Sequence, residues 1–288
     1  MNRKVFARLS AGVLFLLLAW VAYTQNQNEP PKLTLNKVAD NLYEIEGDGG
    51  NVAVYITGDG VILIDDKFAQ DHDAIMEKVT SITSQPVKYV INTHYHADHS
   101  GGNAKMYPMG VEIISTANSR KNILGHKQSN APPGVMPARV VFTDETSIFL
   151  GGKEVRAHYF GRGHTNGDAV IYFPAVRTIH TGDLMAGTSP LIDYNGGGSL
   201  VEWPKTLDAV MQQLDFDTVI PGHGPVTNKA GLKTYRDNIV KMRDQVSDLI
   251  HQGKTQAQVA MFMEMQYNWA PNSLQQQWSV PGMMTELK

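Results

Sequence analysis

From about residue 32 the chain alternates short apolar runs with clusters of glycine, aspartate and proline, and the period of the runs changes along the way. Residues 52–57 and 61–64 are β-rich and flank Gly58-Asp59-Gly60, a sequence suited to a hairpin turn. Ile75, Val79 and Ile82 then recur at helical spacing, which predicts an amphipathic helix over 70–84. Residues 87–91 return to strand character and run directly into His94. Further strands are expected at 111–114, 155–160, 169–173, 178–180 and 218–220, and helices at 118–125 and 201–214. Beyond Lys229, Leu232, Tyr235, Ile239 and Met242 share one helical face. No internal repeat or low-complexity linker interrupts the pattern. The expected organisation is two sheets covered by helices: one α/β (α+β) domain over 32–229, with a helical C-terminal extension over 230–288 packed on it.

The first residues follow a different logic. Arg3, Lys4 and Arg8 precede an apolar stretch from Leu9 to Ala22, shorter than the roughly 20 residues of a full membrane span. Residues 1–24 therefore read as an export signal, either cleaved or kept as an N-terminal anchor, and both readings place the domain in the periplasm or outside the cell. Membrane contact is expected only through that segment, if it is retained.

Composition narrows the chemistry. A chain of 288 residues with 42% hydrophobic content can bury a substantial core. Its formal net charge of −3 offers no footprint for nucleic acid. It has no cysteine, which excludes a disulfide scaffold, a zinc finger and a thiol nucleophile. Any metal must be held by histidine and carboxylate.

Those residues cluster in His94-Tyr95-His96-Ala97-Asp98-His99, four potential ligands at the exit of a buried strand. His94 and His96 face one side of an extended segment because side chains alternate there. Three more candidates also follow apolar strands, each beside glycine: His164 in Gly163-His164-Thr165, Asp183 in Thr181-Gly182-Asp183, and His223 in Pro221-Gly222-His223-Gly224. A lone histidine is most often a structural residue; seven ligand-type residues at four strand exits point to metal.

His-x-His-x-Asp-His followed by a separate His, an Asp in Thr-Gly-Asp and a His in Pro-Gly-His-Gly resembles the metallo-β-lactamase superfamily, over roughly residues 36–227. The resemblance implies a four-layer αββα sandwich with two zinc ions at one edge between the sheets. It implies that His94, His96 and His164 hold one zinc, that Asp98, His99 and His223 hold the other, and that Asp183 bridges them. The expected activity is hydrolysis of a small carbonyl substrate, a β-lactam-like amide or a cyclic ester or amide, by hydroxide shared between the metals, with Asp98 orienting it and Asp183 the other catalytic group. Zinc β-lactamases with a cysteine ligand carry that thiolate about where Asp183 stands, and a lysine three positions later. Here that later position is Ala186. The bridging aspartate resembles thioester hydrolases of the glyoxalase II type and lactonases, so a thioester is the next substrate class. A metal-binding accessory protein with little catalysis is the alternative outside enzymology.

Several residues near this constellation stay open between support of the site and ordinary packing: His158, His180, Asp65 and Asp66. In the glycine-rich loop at 187–199, Tyr194 or Asn195 is positioned to donate to an oxyanion or to serve only as turn chemistry. His126 and Lys127 belong either to a rim loop or to solvent.

Overall fold

The computed structural model describes residues 32–125, 130–187 and 190–288; the expected signal or anchor at 1–24 and the pair His126 and Lys127 lie outside them. Thirteen strands form two sheets among the described residues. In the first, β1 (Thr34–Ala39), β2 (Leu42–Glu46), β3 (Val52–Ile56) and β4 (Val61–Ile64) make an antiparallel meander. β5 (Val87–Ile91), β6 (Glu112–Thr116) and β7 (Val140–Phe142) continue it in parallel, giving the order β1-β2-β3-β4-β5-β6-β7. Parallel neighbours need crossovers, and helices supply them. α1 (His72–Ile82) joins β4 to β5, the short α2 (Ala97–Ser100) and α3 (Asn103–Met106) join β5 to β6, and α4 (Ala117–Leu124) follows β6.

The second sheet has the order β13-β12-β11-β10-β9-β8. β8 (Glu145–Leu150), β9 (Lys153–Tyr159), β10 (Ala169–Phe173) and β11 (Thr178–His180) run antiparallel. α5 (Trp203–Gln213) crosses over to β12 (Thr218–Ile220), parallel to β11, and β13 (Thr227–Asn228) closes the edge. The chain ends in α6 (Lys229–His251), α7 (Gln256–Tyr267) and α8 (Leu274–Glu286). Among the described residues no helix is long and apolar enough to cross a membrane.

Strand alternation explains the layering. In β4, Ile62 and Ile64 face the second sheet while Val61 and Leu63 face α1, where Ile75 and Val79 meet them. In β10, Ala169, Ile171 and Phe173 complete the inter-sheet core, and Val170 and Tyr172 turn outward onto Trp203, Leu207 and Val210 of α5. Both faces of these strands are buried, so they read in sequence as continuous apolar runs. The result is helix, sheet, sheet, helix: the expected αββα sandwich.

Expected elements are recovered with their ends shifted by a few residues. The helix over 70–84 starts as a single tight turn at Ala69–Asp71 before α1 proper. The amphipathic face foreseen beyond Lys229 is buried as Leu232, Tyr235, Ile239 and Met242 of α6. β1, β7 and β8 lacked a sequence signal because each is half-exposed, and β7 and β8 present Val140, Val141 and Phe149 to solvent.

Candidate metal centre

The ends of β5, β9, β11 and β12 deliver the candidate ligands to one place. Asn51, just before β3, ties the sheets together there. Its backbone N–H donates to the Gly222 carbonyl at 2.7 Å, and its side-chain amide donates to the carbonyls of Pro221 at 3.1 Å and Gly224 at 2.8 Å.

The ring nitrogens of His94, His96 and His164 converge. His94 Nε2 lies 3.1 Å and His164 Nε2 lies 2.9 Å from His96 Nδ1. The opposite nitrogen of each ring is engaged elsewhere. His94 Nδ1 meets Thr93 Oγ1 at 3.1 Å, and that hydroxyl donates its own proton to Asp65. His164 Nδ1 lies 2.7 Å from the Leu191 carbonyl, and His96 Nε2 lies 2.9 Å from Asp193 Oδ2. These acceptors fix the tautomers with the protons outward. Three lone pairs are then aimed at one buried point. Without a cation they repel one another; with one they form three legs of a tetrahedron.

A second cluster adjoins the first. His99 Nε2 and His223 Nε2 are 3.3 Å apart, and Asp98 Oδ2 lies 3.2 Å from His223 Nε2 and 3.6 Å from His99 Nε2. Asp183 stands between the clusters. Its Oδ2 is 3.6 Å from His164 Nε2, while Oδ1 is 3.2 Å from His99 Nε2 and 3.4 Å from His223 Nε2. Oδ1 is buried without a hydrogen-bond partner, an orphan acceptor that suits a metal bond. His99 is oriented by Asp65 Oδ2, 2.7 Å from its Nδ1.

The electrostatics agree with a cation site. Burial pushes His94 down and takes His164 to about 4, so both are neutral imidazoles with lone pairs to give. In the second cluster the sign reverses. Burial disfavours a charged His99, but Asp183, Asp98 and Asp65 around it outweigh that and raise it well above its ordinary value. Asp183 is the main cause that lifts His223 to about 9. Burial opposes the charge on Asp98 and Asp183 too, yet the adjacent His99 and His223 hold both carboxyls below their usual range. Buried carboxylates here demand positive charge, and a dication meets that demand while displacing the protons.

The family model of the metallo-beta-lactamase superfamily matches residues 45–223, more than half of the chain and all seven candidate ligands. The chain belongs to the metallo-beta-lactamase superfamily. Its enzyme class is that superfamily's zinc-dependent hydrolases, and the donor set fits that metal. The chain is 27% identical over 205 residues to the metallo-beta-lactamase type 2 of Bacillus cereus, covering 66% of this chain and 73% of that protein. It is 24% identical over 176 residues to metallo-beta-lactamase IND-1 of Chryseobacterium indologenes, covering 60% and 71%. Its fold matches a metallo-beta-lactamase from Pontibacter korlensis with a TM-score of 0.64 at 20% identity, over 72% of this chain and 99% of that one. Helices α6 to α8 begin after the residues that the superfamily model matches.

The residues left open by the sequence separate clearly. Asp65 holds His99, and Asp66 instead accepts from the Gly102 N–H at 3.0 Å in the turn beyond it. His180 accepts from the Gly182 N–H at Nδ1 and donates from Nε2 to the Asn51 carbonyl at 3.0 Å, bracing the loop that carries Asp183. His158 sits away on β9, 3.3 Å from Glu145. Tyr194 is no oxyanion donor, because its hydroxyl donates to Glu286 at 2.7 Å, and the Asn195 amide donates to Asn130 at 3.2 Å. Sequence reasoning missed Asp193 and Trp278. Asp193 holds His96, and the Trp278 ring of α8 lies 5.4 Å from the His96 ring. Asp193 carried a faint signal, a carboxylate inside the glycine-rich loop after Asp183; Trp278 carried none.

Proposed function

We propose that the chain is a dinuclear zinc hydrolase that opens a small carbonyl compound, a β-lactam-like amide or a cyclic ester or amide. The observation that carries this is the convergence of three outward-protonated imidazoles beside a second donor set that shares Asp183. In this reading His94, His96 and His164 hold one zinc, Asp98, His99 and His223 hold the other, and Asp183 serves both. Bound zinc supplies Lewis acidity for the carbonyl and makes water acidic enough to react near neutral pH. The chain's own groups do the rest. Asp98, kept anionic by its histidine neighbours, accepts a hydrogen bond from the attacking water and orients it. Asp65, Thr93, Asp193 and the Leu191 carbonyl hold the imidazoles still, so that the donor set is formed before substrate arrives.

The relatives named as metallo-beta-lactamases make a β-lactam the first substrate to try, while Ala186 at the rim argues for an uncharged cyclic ester or amide beside it. The test is metal content together with turnover of nitrocefin, a homoserine lactone and a thioester by the purified chain. Two zincs and chelator-sensitive turnover of at least one substrate are expected. A full complement of zinc with no turnover would favour a metal-binding accessory protein instead. We also propose, from Arg3, Lys4, Arg8 and the apolar stretch after them, that the domain is exported; recovery of the full chain in the cytosolic fraction would overturn that.

A further inference from the structure

The metal centre opens into a cleft of about 630 Å³, and one of its walls comes from outside the residues matched to the superfamily. That wall is α8, which brings Leu274, Gln275 and Trp278 to the cleft. Its position is tightly held. Ser279 accepts from the Ile192 N–H at 2.9 Å, and Glu286 accepts from the Tyr194 hydroxyl at 2.7 Å and the Leu200 N–H at 2.9 Å. A Cβ at Gly282 would stand 2.0 Å from the Tyr194 ring, so only glycine allows the helix to lie this close to the loop that follows Asp183. Val280 and Met283 are buried in the core beneath. Trp278 is therefore fixed against His96, at 5.4 Å between rings and 52° between planes.

Of the three α8 residues at the cleft, Leu274 and Trp278 are apolar and Gln275 is uncharged. Phe68, Pro132 and Leu191 extend that character, and Leu274 stands 54% exposed at the mouth. Among the described residues no lysine or arginine lines the cleft, and its charged groups, Asp98, Asp183 and His223, all lie at the metal centre and not on this wall. A ligand carrying its own carboxylate beyond the reacting group finds no cationic partner on this wall. One with an aliphatic tail finds Trp278 and Leu274.

Resting on the hydrolase reading above, we infer that Trp278 and Leu274 of α8 form an acyl-binding wall that selects neutral esters, lactones or amides with an aliphatic acyl chain over anionic ones. The tail lies away from the reacting carbon, so its burial adds equally to ground and transition states and appears in KM. Partial burial of its methylenes in an open cleft gives about a 10- to 100-fold gain over a whole tail.

The test compares p-nitrophenyl acetate, p-nitrophenyl octanoate and the p-nitrophenyl half-ester of suberic acid, which has the octanoyl length with a terminal carboxylate, on the zinc-loaded full chain. The octanoate is expected to exceed both others in kcat/KM by about tenfold or more, through KM. Trp278→Ala should cut the octanoate-to-acetate ratio by about tenfold, and Trp278→Phe should restore most of it. An unchanged ratio in Trp278→Ala, or preference for the suberate, would overturn the inference. If none of the esters is turned over, the hydrolase reading stands or falls on nitrocefin, the homoserine lactone and the thioester, and the wall is read from binding. Binding of octanamide against acetamide to the same protein, followed by calorimetry, then decides the wall. Tighter octanamide binding that Trp278→Ala abolishes supports it, and equal binding of the two amides overturns it.

Discussion

The two sheets contribute to the candidate metal centre in opposite ways. The seven-stranded half supplies His94, His96, Asp98 and His99 from one loop and a short helix after β5, so their mutual spacing is set by six consecutive residues. The six-stranded half supplies His164, Asp183 and His223 from three separate loops, after β9, β11 and β12. Donors of the first kind are placed by local backbone geometry. Donors of the second kind are placed by packing: β11 beside β12, α5 beneath them, and α8 against the loop between. The first half should tolerate change in its scaffold while keeping its donors. The second should lose donor geometry when its loops are disturbed, even where no ligand is replaced.

The largest effect is expected from removing a local donor outright. His96→Ala takes away the nitrogen that both His94 and His164 approach within 3.1 Å, and it should lower zinc content and bring hydrolysis to background. Metal analysis alongside the activity assay would check this, and surviving activity would break the assignment of the first cluster. Next comes a packing change in the other half. A Cβ at Gly222 would stand 2.1 Å from Asp183 Oδ1 and 2.6 Å from the Gly182 carbonyl carbon. Neither of those groups is the far end of a flexible chain, so Gly222→Ala must move the shared carboxylate. A displacement near 1 Å in a positioned group costs on the order of 100-fold in rate. The measurement is kcat/KM with circular dichroism, and normal kinetics would show that the three-loop half is less tightly coupled than its contacts indicate.

Asp193→Asn probes the link between the halves. Asp193, from the loop after Asp183, accepts from Asn130 at 2.6 Å and the Gly196 N–H at 2.9 Å as well as from His96 in the opposite half, while Tyr95 donates to its second oxygen. Burial disfavours its charge, but the hydrogen bonds from His96, Tyr95 and the Gly196 N–H hold the carboxyl below its usual range. An amide in its place sets a donor against donors and loosens the ring. Zinc affinity should fall about 10- to 100-fold in competition with a chromophoric chelator, with the fold retained. Unaltered affinity would mean that His96 is held by its neighbours alone.

The same contrast explains what the sequence discloses. His94 to His99 is legible because its geometry is local, and so are β4 and β10, whose two buried faces leave unbroken apolar runs. His164, Asp183 and His223 are legible as strand-exit residues, but their distances are not, since those depend on which strands pair. Asp65 and His180 stay ambiguous in sequence for the same reason: their partners, His99 and Asn51, are 34 and 129 residues away. Tyr194 reads as a free polar group until Glu286, from the end of the chain, claims its hydroxyl. Trp278 belongs to a helix with only weak amphipathic order, interrupted by Pro281, and nothing local marks which of its sides meets the metals.

The smallest expected effect tests whether the first half's scaffold is separable from its donors. Glu44 of β2 is buried on the inter-sheet side, with Oε2 accepting from Asn36 at 3.4 Å and Oε1 unpartnered. Burial is the main cause that raises it from 4.5 to about 7. The folded state thus binds a proton more tightly than the unfolded chain. Between pH 4.5 and about 7 stability falls as pH rises, and above that window the cost of the buried charge is complete, on the order of 3 kcal/mol at most. Glu44→Gln removes the titrating group, so its gain in stability should be near zero at pH 4, grow through the window and level off by pH 8. Urea unfolding at those pH values reads the gain directly. Zinc affinity should not change, because β2 carries no donor and the loop after β5 sets its own spacing. A Glu44→Gln variant that altered zinc binding as well would show the seven-stranded half to be as tightly coupled to its metals as the other, and the contrast between a local and an assembled set of donors would fail.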